Sequence, residues 1–336
     1  MNNRWIQRAA VVLLCTSLIG CKQNVSLPGI AAMAKTAAAS SDALTALPQD
    51  FYDSCVRQIS WLRGSVLTSP GARAPAGQAQ AGLPADVNTK QLQTTLGALP
   101  SFSQVVDLFD VQTGCAPSKV TSEQMIAMTA VLTDYFAALG KLASTGTTTG
   151  IGIDKLGNAV KGLDPKSDFN KSGKTAAIAG ALDQLASALI AGQAKNDIAA
   201  DVTAANDLVG KLIDRLISDK AGTEDDNAVG YYLKQLRIER FAMHTFYANN
   251  IGATKSGLEK LQAFQFYLNE AADDAKIDQR VAATQTYVSA LSKLKKSHND
   301  VAKAVNNKDF ASLASIAQAY IDEFQPQIDA LRKAFK

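Results

Sequence analysis

The feature that most constrains the fold is the recurrence of apolar residues at alternating steps of three and four. Met125, Met128, Leu132, Tyr135, Leu139 and Leu142 follow one another in this way. That spacing places side chains on one face of a 3.6-residue helix, whereas a strand would need a step of two. The same rhythm returns in Ile178, Leu182, Leu185 and Leu189, and again in Ile198, Val202, Ala205, Val209, Leu212 and Leu216. From Asp225 onward the pattern is helical almost to the end, where Phe310, Leu313, Ala317, Tyr320 and Phe324 form the last stripe and Pro326 is placed to kink it. No segment combines period-two alternation with β-branched enrichment. The expected fold class is therefore all-α, an antiparallel helical bundle with long C-terminal helices. Only 7% of residues are aromatic, which suits closely packed helices rather than a thick aromatic core.

Punctuation between the stripes sets the organisation. Thr121-Ser122-Glu123-Gln124 fits a capping box ahead of its helix. An earlier helix is expected from Pro48, acceptable in a first turn, through Cys55 and Trp61. Residues 69–88 have little to bury and read as a mobile loop, and a short helical piece is placed at Gln104–Phe109. Ser144–Gly152 breaks the chain, and Gly162–Gly173, with Asp164-Pro165, is a possible sub-domain linker within a bundle spanning 46–336.

The N-terminus carries a different signal. Arg4 and Arg8 precede the apolar run Ala9-Ala10-Val11-Val12-Leu13-Leu14, and Leu18-Ile19-Gly20-Cys21 closes it. The order is that of a secretory signal peptide, and the apolar part is too short to span a bilayer alone. The closing residues resemble the lipobox of bacterial lipoproteins. That resemblance implies removal of residues 1–20 and a diacylglyceryl group on the Cys21 thiol. It also implies an acyl chain such as palmitate on the new amine. Residues 22–45 are small and polar-to-alanine-rich, a composition suited to a tether, so 21–45 is expected to be the lipidated N-terminus and tether. Two or three chains make attachment effectively permanent, since each buried methylene contributes about 0.8 kcal/mol. Lipoproteins kept in the inner membrane of enteric-type bacteria carry Asp after the cysteine. Lys22 therefore points to the outer membrane, facing the periplasm of a Gram-negative bacterium.

Processing changes the rest of the ledger. Losing Arg4 and Arg8 lowers the formal net charge from +3 to +1, which removes any electrostatic case for nucleic acid or for a polybasic membrane patch. Cys15 leaves with the signal and Cys21 is lipidated, so Cys55 and Cys115 remain as a pair in an oxidising compartment and read as a disulfide.

Motifs that carry chemistry fall short. Ser172-Gly173-Lys174-Thr175 looks like the tail of a phosphate-binding loop, but Asp168 stands where the first glycine is needed and no strand precedes it. Nucleotide is not expected. Ser292-Lys293-Leu294-Lys295, Ser297-His298-Asn299 and Lys171-Ser172-Gly173 match fragments of penicillin-binding enzymes in the wrong order, two of them on a single helix. Of the two histidines, His244 lies one turn after Arg240 and reads as a boundary residue. His298 lies on the stripe Leu291, Leu294, Val301, Val305 and reads as half-buried packing. Glu224-Asp225-Asp226 suits a helix N-terminus better than a calcium loop. No catalytic residue, metal or cofactor is assigned.

One stretch is unusually aromatic. Tyr231, Tyr232, Phe241, Phe246, Tyr247, Phe264, Phe266 and Tyr267 lie close in sequence, with Arg237 and Arg240 interleaved. Core packing explains most of it. Tyr231, Tyr232, Arg237, Arg240, Phe246, Tyr247, Phe266 and Tyr267 are nevertheless the candidate partner or ligand surface, because Arg–aromatic mixtures favour interfaces. The functional expectation is a non-enzymatic interaction, scaffold or assembly lipoprotein with an envelope protein partner. The alternative is a binding module for an apolar or amphipathic small molecule near residues 231–267. Replacing Cys21 by Ala is expected to leave an uncleaved or soluble form. Unchanged mass and membrane fractionation of that variant would remove the lipobox reading.

Overall fold

The computed structural model describes residues 27–68, 111–145, 198–217, 227–252 and 257–335, and every element in them is helical. These are α1 (Pro28–Ala38), α2 (Ser41–Thr68), the one-turn α3 (Val111–Gly114), α4 (Ala116–Thr145), α5 (Ile198–Leu216), α6 (Ala228–Gly252), α7 (Gly257–Asn306) and α8 (Leu313–Ala334). The all-α bundle read from periodicity is the fold. The mobile loop at 69–88, the pieces at 104–109, 144–152, 162–173 and 178–189, the Lys171–Thr175 motifs and the acidic triplet at 224–226 fall wholly or largely outside the described residues.

Register follows from the contacts between helices. The Leu27 amide donates to the Ala143 carbonyl at 3.1 Å, and the Ser122 hydroxyl donates to the Pro48 carbonyl at 2.6 Å. The α1–α2 unit thus runs antiparallel to α4. Trp61 meets Phe246 while Tyr232 meets Asp50, so α2 and α6 run parallel. Gly29 lies against Leu313 and Ala39 against Arg332, so α1 and α8 run parallel as well. Lys293 pairs with Glu323 at 2.5 Å and Gln327 bonds Ser289 at 2.9 Å, which sets α8 antiparallel to α7. Asn206 faces Asn299 and Asp214 faces Lys295, setting α5 antiparallel to α7 as well. At 1.5 Å per residue, the 50 residues of α7 extend about 75 Å and link the two ends of the molecule. One end holds the start of α1, the end of α4 and the α7–α8 turn. The other holds the end of α6 and the start of α7.

Small residues let the helices close up. A Cβ at Gly29 would lie 2.6 Å from the Leu313 carbonyl oxygen, so α1 crosses α8 where only glycine fits. A Cβ at Gly140 would sit 3.3 Å from that of Ala34, bringing α1 against α4. Within α4 lies the described stretch, 116–144, that is long and apolar enough to cross a membrane by length and composition. Its Met125, Met128, Val131, Leu132, Tyr135, Phe136 and Leu139 are all buried in the core. A helix covered on most of its faces reads as apolar for that reason.

Five expectations need correction. Residues 28–45 are not a tether: Ile30, Met33, Ala34, Ala37 and Leu44 are buried core residues of α1 and α2. The alanine-rich composition that suggested a flexible leash is what close helix packing needs. Helix α2 starts at Ser41 and continues through Pro48, and α4 starts at Ala116, so Thr121–Gln124 lie inside a helix rather than at its cap. Pro326 does not interrupt α8; it is exposed, where water can serve the carbonyl that loses its partner. Phe310 leaves the final stripe and lies in the α7–α8 turn.

That turn closes α7 through a Schellman arrangement. The Asp309 amide donates to the Ala304 carbonyl, the Lys308 amide donates to the Val305 carbonyl, and Lys308 adopts φ 58°. A lysine in the left-handed region costs about 1 kcal/mol relative to glycine.

At the opposite flank Cys55 and Cys115 are joined, with Cα atoms 5.8 Å apart, tying α2 to the turn before α4. Closing a loop of this length stabilises the fold by about 4 kcal/mol in the chain-entropy model. Urea unfolding of the reduced protein is expected to show that loss, and a midpoint unchanged on reduction would contradict it.

Candidate functional site

Two buried polar seams stand out among the described residues. The first joins α2, α6 and α7. On α6, Glu239 occupies a place on the apolar face marked by Tyr232, Leu236 and Met243, and it is 1% exposed. Its Oε1 accepts from Arg57 Nε at 2.7 Å and from Arg280 Nη2 at 3.0 Å. Its Oε2 accepts from the Ser54 hydroxyl at 2.6 Å and from Arg280 Nη1 at 2.9 Å. Arg57 also donates to Asp50 at 2.9 Å, and Tyr232 donates its hydroxyl to Asp50 at 2.5 Å. Burial, followed by the Asp50 charge, pushes the Tyr232 phenol far above its ordinary range. Every lone pair of Glu239 is occupied by a neighbour, which leaves none to act as a base toward a substrate. The arrangement does positional work, since two forked guanidiniums fix one carboxylate in orientation.

The second seam runs through α4, α7 and α5. The Tyr135 hydroxyl lies 2.8 Å from His298 Nε2, and His298 Nδ1 lies 3.1 Å from Asn206 Oδ1. Asn206 Nδ2 donates to Asn299 Oδ1 at 3.1 Å. A single direction satisfies the whole line. Tyr135 donates to Nε2, and Nδ1–H donates to Asn206, which assigns the neutral Nδ1–H tautomer. His298 is fully buried rather than half-buried, against the edges of Tyr135 and Phe136. Burial lowers its pKa to about 4.

The aromatic stretch divides once placed. Tyr232 and Tyr247 are buried, which corrects their assignment to a contact surface. Tyr247 is enclosed by Trp61, Phe246 and Phe266 at ring-centroid distances of 5.5, 5.2 and 6.3 Å, and its hydroxyl donates to Asp273 at 2.7 Å. Phe246 and Phe266 are half-buried in the same cluster, and Tyr231 packs on the core edge. Around Tyr247 these rings pack directly against one another. Arg240 pairs with Asp274 at 3.0 Å and with Asp278, while His244 meets Glu270 at 2.7 Å, so this face binds α6 to α7. Of the proposed surface, Arg237 and Tyr267 are exposed.

A different surface emerges beside Tyr267. Leu261, Phe264, Tyr267 and Leu268 are 68%, 61%, 61% and 46% exposed, and they form a ridge near the start of α7. Leu261, Phe264 and Leu268 stand at i, i+3 and i+7, a spacing legible in the sequence; nothing there tells a buried stripe from an exposed one. The Asp50–Arg57–Glu239–Arg280 seam left a fainter trace, a carboxylate on an apolar stripe.

Among the described residues no group of three or more His, Cys, Asp or Glu side chains is arranged to hold a metal ion. No protein-family model, curated protein or solved structure matches the chain.

The His298 seam makes stability depend on pH. The unfolded imidazole takes a proton near pH 6.5, whereas the folded one resists until about 4. Its contribution is therefore complete above about pH 6.5 and is lost as pH falls toward 4. Denaturant unfolding at about pH 4.5 is expected to give roughly 2–3 kcal/mol less stability than at about pH 7. His298→Gln is expected to flatten that dependence while lowering stability at neutral pH. A full pH dependence in this variant would show that other groups cause it.

Proposed function

We propose that this chain is a membrane-anchored envelope lipoprotein that works by contact, as a non-enzymatic scaffold or assembly factor. It would be exported, lipidated at Cys21 and held at the outer membrane facing the periplasm. The observation that carries the contact reading is the ridge of Leu261, Phe264, Tyr267 and Leu268. Single exposed apolar residues are ordinary, but several at helical spacing on one segment mark an interaction site. The i, i+3, i+7 pattern is the one by which an amphipathic helix enters an apolar groove on a protein partner.

The position of the ridge supports the reading. It lies near the start of α7, about 60 Å along that helix from the end that Leu27 and Leu313 share. A chain anchored just before Leu27 would thus carry its contact surface at the far end of a rigid helix pair. That pair is braced by Arg240–Asp274, His244–Glu270 and Tyr247–Asp273 across α6 and α7. A small-molecule site between the helices is less well supported, because the aromatic cluster is packed with its own side chains.

The test is site-directed photocrosslinking of the intact, anchored protein from position 264 or 268, with position 285 on the exposed side of α7 as control. One envelope protein is expected to crosslink from the ridge and not from the control. Paired changes Phe264→Lys and Leu268→Lys are expected to abolish that product and leave stability within about 0.5 kcal/mol. Crosslinks absent from the ridge, or equal from both positions, would overturn the reading.

A further inference from the structure

Phe310 is the one strongly exposed large apolar side chain described outside the α7 ridge, at 49%. It lies in the α7–α8 turn beside Lys308, whose left-handed backbone is held by the two turn hydrogen bonds of Lys308 and Asp309. The carboxylate of Asp309 is turned back toward the Ser312 amide at 3.4 Å. Leu313, three residues after Phe310, contacts Gly29 at the start of α1. Leu27 is fastened at the same end through the Ala143 carbonyl.

Chain length then restricts where this turn can be. Six residue steps separate Cys21 from Leu27, and a fully extended chain covers at most roughly 3.3–3.6 Å per residue. Leu27 therefore cannot be more than about 20 Å from Cys21, a small fraction of the length of α7. If Cys21 carries acyl chains, the end of the bundle bearing Phe310 is the end that meets the bilayer. An exposed aromatic flanked by lysine, on a turn held at that distance, has the chemistry of an interfacial contact: the ring enters the headgroup–acyl boundary and the ammonium stays with the phosphates.

We infer that the α7–α8 turn rests on the lipid surface, with Phe310 inserted and Lys308 against the headgroups, so that the bundle stands end-on with the α7 ridge pointing away. This rests on the anchoring reading above. The ring adds a second point of attachment to the acyl chains, and two points restrict the tilt of the body more than one does.

The experiment uses the full-length lipidated protein in phosphatidylcholine–phosphatidylglycerol vesicles whose chains carry bromine as a fluorescence quencher. Phe310→Trp is compared with Tyr267→Trp and with the parent, whose mature chain retains Trp61 alone. The fluorescence added at position 310 is expected to be blue-shifted and quenched several-fold more than that added at 267. Asn307→Trp provides a second probe on the same turn, should position 310 fail to express. Flotation and intact mass are read on the same samples. Protein that floats and carries acyl mass, yet shows no quenching at 310 and 307, overturns the seated turn and leaves the anchor intact. Equal quenching at 310 and 267 overturns the end-on orientation. Protein without acyl mass that does not float overturns the anchoring reading, and this inference with it.

Discussion

The Glu239 carboxylate, clamped between Arg57 and Arg280, is the interaction on which the arrangement of the long helices depends. It is almost completely buried where α2, α6 and α7 meet, and α2 and α7 each contribute a guanidinium to it. A buried ion group of this kind is not a large net source of stability, because desolvation offsets most of the attraction. Its effect is on uniqueness. Removing one partner leaves an uncompensated charge at a cost of about 3–5 kcal/mol, so any slip of α6 or α7 that separates the three is strongly disfavoured. An apolar seam of small residues could slide by a turn; this one cannot.

The remaining polar contacts repeat that logic at other points. Tyr135, His298, Asn206 and Asn299 pin α4, α7 and α5 in one register, and burial favours the neutral form of His298 in that line. Arg240, His244 and Tyr247 bind the outer part of α6 to α7 through Asp274, Glu270 and Asp273. The disulfide fixes the start of α4 to α2. Between these points the core is alanine, leucine and a few aromatics, with glycines where backbones touch. A scaffold with fixed registers can hold a contact surface at a set distance from an anchor, which is the physical content of the proposed role.

Much of this was legible in the chain itself. The stripes at 125–142, 198–216 and 313–324 became buried faces of α4, α5 and α8, because a helix with one apolar face must cover it. Cys55 and Cys115 are joined, as expected of the two cysteines that the lipobox reading leaves over. Boundaries fared worse. Residues 28–45 read as a tether because alanine is neutral in composition, yet in close-packed helices alanine is the residue that lets backbones approach. Thr121–Gln124 matched a cap because a capping pattern is local, whereas the extra turn of α4 before it is held by packing and by the disulfide.

Periodicity and the absence of alternation were enough by themselves to determine the all-α class and the apolar faces of α4, α5 and α8, since a helix buries what its 3.6-residue period places on one side. The tertiary structure alone decided which apolar faces stay open. Tyr232 and Tyr247 turned inward and Leu261, Phe264, Leu268 and Phe310 stayed outside, although all belong to helical or near-helical stripes. Burial depends on whether a second helix reaches that height along the first, and the 50 residues of α7 outrun α8, which reaches only one part of it. Spacing along one chain segment carries no record of where its neighbour ends.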